Sequence, residues 1–312
     1  MSPPRSLSVV IPVYNGAATI RALVERLSVV ITGIGLPWEI VLVNDGSRDA
    51  SWSVVESLSD ANGNVRGIDL MRNYGQHNAL LCGILASRHE VIVTMDDDLQ
   101  QPPEEIPRLL AKLAEGFDVV YGRPEREQHG VWRNMGSRMM KAALGAAMGA
   151  DVAPMVSAFR AFRASLKPVF SEHQSPLLNV DVLLSWATTR FAAVLVRRDP
   201  RGSGTSNYRF RALVRHAMNM MTGFSLIPLQ LATIVGFAFT LFGIGILVYV
   251  VGRFLVSGVV VPGFAFLASV IAIFSGAQLF ALGIMGEYLG RMHMRTMNRP
   301  PYIVRGSTDA RD

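Results

Sequence analysis

The chain has 312 residues, 50% of them hydrophobic and only 17% charged, with a mean hydropathy of +0.30. Average soluble domains carry roughly 25% charged residues, so this composition excludes a disordered chain and argues against an ordinary soluble protein. One cysteine, Cys82, excludes a disulfide framework and a thiolate zinc site, and the net charge of +6 calls for an acidic partner.

Leu7–Val13 is a short β-branched run interrupted by Pro12 and followed by Asn15-Gly16, a strand and turn rather than the apolar core of a signal peptide. Further strands are predicted at 39–44, Val65–Leu70, 91–95 and 118–121. Between them, residues 19–31 place Ile20, Leu23, Val24, Leu27 and Ile31 on one helical face, and 76–87 and 103–115 also read as helices. This alternation predicts an α/β domain, a mainly parallel sheet flanked by helices on both faces.

In such sheets ligands bind beyond the carboxyl ends of the strands. The residues there are Tyr14-Asn15, Asp45-Gly46-Ser47, Arg72-Asn73-Tyr74-Gly75 and Asp96-Asp97-Asp98. Asn, Asp, Gly and Ser also build turns, which is an equal reading of Asp45-Gly46-Ser47 taken alone. Three adjacent aspartates are harder to explain that way, because their charges repel one another and a helix cap needs only one. Asp96 and Asp98, two apart, project to one side of an extended chain and offer oxygens to Mg²⁺ or Mn²⁺. No phosphate-binding glycine loop of the P-loop or dinucleotide type is present, and the six histidines lack metal-ligand spacing.

Residues 217–252 and 254–286 are free of Asp, Glu, Lys, Arg and His, and Arg253 separates them. Each run exceeds the roughly 20 residues needed to cross a bilayer as a helix, and spans are expected at 229–251 and 264–286. Arg209, Arg211 and Arg215 precede the first, and Arg291, Arg295 and Arg299 follow the second, so the positive-inside rule puts both termini in the cytoplasm. From Arg190 to Arg215 there are seven arginines and one acid, Asp199. Beside a membrane, such a collar suits anionic headgroups or a lipid phosphate better than nucleic acid. The expected organisation is a cytoplasmic domain at 1–205, an interfacial amphipathic segment at 206–228, a transmembrane hairpin at 229–286 and a basic cytoplasmic tail at 287–312.

Val-Tyr-Asn (13–15), Val-Asn-Asp-Gly-Ser (43–47) and Asp-Asp-Asp-Leu-Gln-Gln-Pro-Pro-Glu (96–104), in that order, resemble the family 2 glycosyltransferases of GT-A fold. Arg-Asn-Tyr-Gly-Gln-His (72–77), Gly-Thr-Ser-Asn-Tyr (204–208) and Gly-Glu-Tyr-Leu-Gly-Arg (286–291) narrow the resemblance to the polyprenyl-phosphate glycosyltransferases. That group includes bactoprenol glucosyl transferases, dolichyl-phosphate mannose synthases and undecaprenyl-phosphate formamidoarabinose transferases. The resemblance implies an inverting, metal-dependent enzyme of the bacterial cytoplasmic membrane that moves sugar from a UDP-sugar, or alternatively GDP-mannose, to a polyprenyl phosphate. It implies a nucleotide site at Pro12, Tyr14, Asn15, Asp45, Arg72, Asp96 and Asp97, and Mg²⁺ or Mn²⁺ held by Asp98 and Gln100 with Asp96. Arg123, Arg126, Arg133 and Arg160 become candidates for the diphosphate or acceptor phosphate, acting in catalysis with Asp96 and Asp98. Arg201, Ser206, Tyr208, Arg209 and Arg215 become candidates for the lipid phosphate, and a homotetramer is implied.

Three positions depart from the family pattern. The usual Tyr-Asn-Glu ends in Gly16, Gly-Asp-Phe-Arg reads Ser157-Ala158-Phe159-Arg160, and Ser-Lys-Tyr reads Ser206-Asn207-Tyr208. The second removes a candidate general base. A phosphate monoester, with its second pKa near 6, is mostly dianionic at neutral pH and attacks without surrendering a proton. The competing expectations are a processive polysaccharide synthase, whose Gln-x-x-Arg-Trp element is absent, and a non-enzymatic sugar-nucleotide sensor.

Overall fold

The computed structural model describes residues 4–124, 145, 148–149, 151–172, 178–199, 227–257 and 263–310. The expected interfacial segment therefore lies almost wholly outside the described residues. Strands β1 (Leu7–Val13), β2 (Trp38–Asn44), β3 (Val65–Leu70), β4 (Val91–Thr94), β5 (Val119–Pro124), β6 (Arg160–Arg163), β7 (Phe191–Val196) and β8 (Val304–Ser307) form one eight-stranded sheet in the order β7-β5-β6-β4-β1-β2-β3-β8. β4, β1, β2 and β3 run parallel, as do β5 and β7, while β6 runs antiparallel to β4 and β5, and β8 to β3.

Side chains of β1 alternate between two cores, as strand geometry requires. Val9, Ile11 and Val13 join Leu23 and Leu27 of α1 (Ile20–Ile34), Val55 and Leu58 of α2 (Ser51–Ala61) and Leu109 and Leu113 of α4 (Ile106–Ala114). Val10 faces the other way, with Leu80 and Ile84 of α3 (Gln76–Ala86), Phe170 of α5 (Pro168–Ser171) and Leu183 of α6 (Val180–Ala187). Each fully buried Leu or Ile contributes roughly 1.5–3 kcal/mol relative to exposure. The five predicted strands and three predicted helices are present. Between 103 and 115 a 3₁₀ turn at Pro103–Glu105 precedes α4, because Pro103 and Pro107 supply no amide hydrogen to a longer α-helix.

Two long helices follow, α7 (Ile227–Ser257) and α8 (Phe264–Thr296), with Phe239 and Phe274 meeting edge to face at 5.5 Å. Among the described residues one helical stretch, Leu229–Val256, is long and apolar enough to cross a membrane, with a hydropathy of 2.5. The C-terminal segment differs from the expected basic tail. α8 runs ten residues past Gly286, and the chain then returns to the same sheet as β8. Its anchors are polar: Thr308 Oγ1 accepts from Gly67 N (2.9 Å) and bonds Ser59 Oγ (2.8 Å), and Asp309 pairs with Arg66 (2.5 Å).

Candidate active site

The residues following β1, β2, β3 and β4 are cross-linked into one crevice. The Asp45 carboxylate, almost fully buried, accepts the amides of Tyr74 (2.7 Å) and Gly75 (2.9 Å), which ties the turn after β2 to the loop after β3. Burial raises the Asp45 pKa above the usual carboxylate range, against the pull of those two amides and Arg72. Gly46, at φ 62, lies so close to that loop that a Cβ would stand 2.4 Å from the Arg72 carbonyl carbon. No other residue fits there without moving backbone. The Arg72 guanidinium stacks 4.3 Å from the centre of the Tyr74 ring, making a flat cationic platform at the crevice wall.

The turn after β1 meets the other two. Asn15, at φ 54, donates its amide to Ser47 Oγ (3.0 Å) and accepts Arg48 N at its Oδ1 (2.9 Å). Tyr14, half exposed, donates its amide to Asp97 Oδ2 (3.4 Å). Pro12 is buried inside β1 opposite Val43, two residues before the Tyr14-Asn15 turn.

The three aspartates close the crevice beyond β4. Gln76 at the start of α3 donates to Asp96 Oδ1 (2.6 Å), and Gln101 exchanges two bonds with Asp96. Burial first, then the neighbouring Asp98 charge, pushes the Asp96 pKa up to about 6, against Arg160, Arg198 and Gln101. Burial likewise lifts Asp97 to about 6, opposed by the Tyr14 amide and reinforced by Asp96 and Asp98. Leu99, at φ 60, turns the chain so that Gln100 N donates to Asp98 Oδ1 (3.1 Å). Gln100 is buried and its Oε1 accepts both the Nε (3.1 Å) and an Nη of Arg198.

Among the described residues no three His, Cys, Asp or Glu side chains converge as a metal cage. The donor set nonetheless fits a hard divalent cation. Asp96 and Asp98 offer carboxylate oxygens, and a cation would relieve the mutual repulsion of the three carboxylates, whereas the Gln100 Oε1, expected as a further ligand, is taken up by the Arg198 guanidinium.

Arg160 requires a correction. It is 1% exposed, its Nε bonds Thr94 Oγ1 (2.9 Å) and its Nη1 pairs with the buried carboxylate of Asp181, which also accepts from Tyr121 Oη (3.0 Å). A guanidinium so fully engaged is not available to a substrate phosphate; it acts from behind the crevice, lowering the charge cost at Asp96. Arg123 lies at the carboxyl end of β5, partly buried. Arg126, Arg133, Arg201, Ser206, Tyr208, Arg209 and Arg215 lie outside the described residues.

Sequence reasoning missed Asp181, Gln76, Gln101 and Arg198. Asp181 carried a signal: it is the one acid in the apolar run 180–184, where only a buried partner keeps a charge. Gln76 and Gln101 carried none, since their roles depend on α3 and the post-β4 loop arriving at the same carboxylate.

Comparison with known proteins agrees with this geometry. Residues 8–170 match the family described as glycosyl transferase family 2. The chain is 32% identical over 309 residues to undecaprenyl-phosphate 4-deoxy-4-formamido-L-arabinose transferase of Pectobacterium carotovorum, covering 98% of this chain and 94% of that one. It is 34% identical to the protein of the same name from Pseudomonas aeruginosa, over 96% of this chain and 89% of that one. Among solved structures, glucosyl-3-phosphoglycerate synthase of Mycobacterium tuberculosis, crystallised with Mn²⁺, UDP-glucose and phosphoglyceric acid, superposes with a TM-score of 0.52. It is 21% identical and the match covers 70% of this chain and 78% of that one, a likeness of fold.

Proposed function

Because the chain belongs to glycosyl transferase family 2, we propose that it transfers a sugar from a nucleotide diphosphate donor, UDP-linked, to a polyprenyl phosphate at the bilayer surface. The observation that carries this reading is the single acidic crevice formed by four strand-end turns, in a chain matched over its whole length, apolar helices included, by relatives named as undecaprenyl-phosphate sugar transferases.

In this reading Asp45 and the Arg72–Tyr74 platform hold the base and ribose, and the Tyr14-Asn15 turn closes over them. Asp98 and Asp96 would hold Mg²⁺ or Mn²⁺, joined by Gln100 once its oxygen is released by Arg198, and the ion would supply neutralisation of charge on the departing nucleotide diphosphate. Arg198, already at Gln100, and Arg123, at the end of β5, contribute positive charge to the same mouth. The chain needs to supply little acid–base chemistry, because a dianionic acceptor phosphate is already a nucleophile. Its contribution is alignment of two anionic substrates and electrostatic neutralisation, and a single in-line displacement inverts the anomeric carbon.

The membrane placement rests on topology. The chain leaves the sheet after β7 and rejoins the same sheet as β8, so its excursion crosses a bilayer an even number of times. With Leu229–Val256 as one span, α8 is the return, and its uncharged residues 264–286 are long enough. The arginines on both flanks support a catalytic domain and both termini on the cytoplasmic side of the bacterial inner membrane.

The test is incubation of the detergent-solubilised full chain with a panel of labelled UDP- and GDP-sugars, Mg²⁺ or Mn²⁺, and polyprenyl phosphate. Metal-dependent formation of a lipid-linked sugar from a UDP donor is expected. Asp98→Ala is expected to lower the rate about 10²–10³-fold with its melting temperature retained. Transfer from GDP-sugars alone would replace the donor class; nucleotide binding with no transfer across the panel would make the protein a sensor and overturn the enzymatic reading.

A further inference from the structure

The segment that follows the second long helix is built into the wall of the crevice. Eight residues after α8 ends at Thr296, Val304 pairs with Leu70, and Ile303 O accepts the amide of Met71 (2.9 Å), the residue that opens the 71–75 loop. Arg305 Nη2 donates to Met71 O (2.8 Å) and its Nη1 lies 3.4 Å from Asp69 Oδ2. Both polar groups of Met71 are thus held by the C-terminal strand. Asp69 is buried and its other oxygen accepts from Asn44 Nδ2 (2.6 Å), while Asn44 Oδ1 accepts the amide of Ser47 (3.3 Å). One arginine therefore reaches both sides of the platform: directly to the loop bearing Arg72 and Tyr74, and through Asp69 and Asn44 to the turn bearing Asp45. Tyr302 packs into the same core as Tyr74 and hydrogen-bonds Cys82, fixing the strand's approach.

We infer that the C-terminal strand is a working part of the donor-nucleotide site, and that Arg305 is a positioning residue which sets the geometry of the 71–75 loop and so the affinity for the nucleotide. The inference rests on the reading of this crevice as a nucleotide site. It couples the two halves of the protein, because the same short connection that ends the second long helix grips the loop that receives the donor. Arg305 is over half exposed and touches no substrate, so its removal changes affinity rather than the chemical step.

The experiment uses full-length protein in detergent, with Arg305→Ala, Arg305→Gln and Arg305→Lys. UDP affinity is measured calorimetrically and donor and acceptor kinetics separately. Arg305→Ala is expected to raise the dissociation constant for UDP and the donor KM about five-fold, the effect of one hydrogen-bonded ion pair, with kcat and acceptor KM unchanged. Arg305→Lys restores most of the affinity, and Arg305→Gln, which keeps a donor for Met71 O but not the charge, falls between. Wild-type affinity in Arg305→Ala, or a fall in kcat with both KM values unmoved, overturns the inference while leaving the nucleotide site standing. Failure of the wild-type protein to bind UDP or GDP would instead overturn the reading of the crevice itself, and the inference with it.

Discussion

Gly16 stands where the motif that the sequence resembles has glutamate, and its surroundings leave no room for a side chain. A Cβ at 16 would stand 2.3 Å from Asp97 Oδ2, so the Asp97 carboxylate fills the space a side chain there would need. The carboxylate at this corner of the crevice comes from the turn after β4. Gly16→Ala is expected to displace Asp97 from the Tyr14 amide, lowering stability by about 1–3 kcal/mol and weakening donor binding. In the Gly16→Ala/Asp97→Ala double variant the stability loss should be less than the sum of the two single losses, because the collision is gone. Thermal melts of the four proteins check this, and strict additivity would show that the two positions do not collide. Nothing in the local sequence announced this close approach, since it depends on two turns 80 residues apart meeting.

At the scale of elements, the sheet is pinned by buried charge as well as by its apolar faces. Glu39 on β2 accepts from Ser8 Oγ (2.6 Å) and Arg88 N (2.6 Å), and pairs with Arg66 on β3 (2.8 Å). Burial alone would raise the Glu39 pKa; the Ser8 and Arg88 hydrogen bonds and the Arg66 charge outweigh it and leave the pKa below its ordinary value near 4.5. A lowered pKa stabilises the folded state fully above that value and loses the stabilisation as pH falls below it. Glu39→Gln is expected to cost about 1–3 kcal/mol at pH 7, the loss of charge-assisted hydrogen bonds to Arg66, which keeps Asp309 as its partner. Its melting temperature should also fall less than the wild type's between pH 6 and pH 4. Parallel melts decide it, and equal pH slopes would remove Glu39 as the source. The elements legible in the sequence were those whose own residues carry the pattern: the β-branched runs of β1 to β5, and α1 with its clean apolar face. The illegible ones borrow their identity from a partner. β8 reads Val-Arg-Gly-Ser and becomes a strand only because β3 presents an unpaired edge; β6 begins and ends in arginines that the flanking strands and Asp181 accommodate; α2 opens on serine-rich sequence with buried Ser51. The site divides the same way. The strand-end aspartates and Arg72 were visible because strand ends are where ligands bind, whereas Arg160 had the right charge and the wrong surroundings.

Among the described residues one sheet is interrupted, between β7 and β8, by two long helices, the first of them long and apolar enough to cross a membrane. A cysteine placed at exposed Ser57 on α2 and another at exposed Met297 beyond α8 are expected to react with a membrane-impermeant maleimide from the same, cytoplasmic, face, in inside-out vesicles only. The native Cys82 is buried, and burial pushes its thiol up to about 12, so it stays silent. Labelling of the two sites from opposite faces would break the two-span arrangement. The return of the chain as β8 also sets an order of assembly. Synthesis runs from the amino terminus, so β1 to β7 leave the ribosome while β3 still has a bare edge, and the strand that covers it emerges last, after both long helices. The contact joins residues 68–70 to 304–307, about three quarters of the chain apart, a closure that loop entropy makes slow. The donor platform is therefore completed last, after the hairpin has had its opportunity to enter the bilayer. A chain cut short before Val304 lacks the strand that grips the 71–75 loop, so nucleotide affinity reports on biogenesis carried through to the last residues.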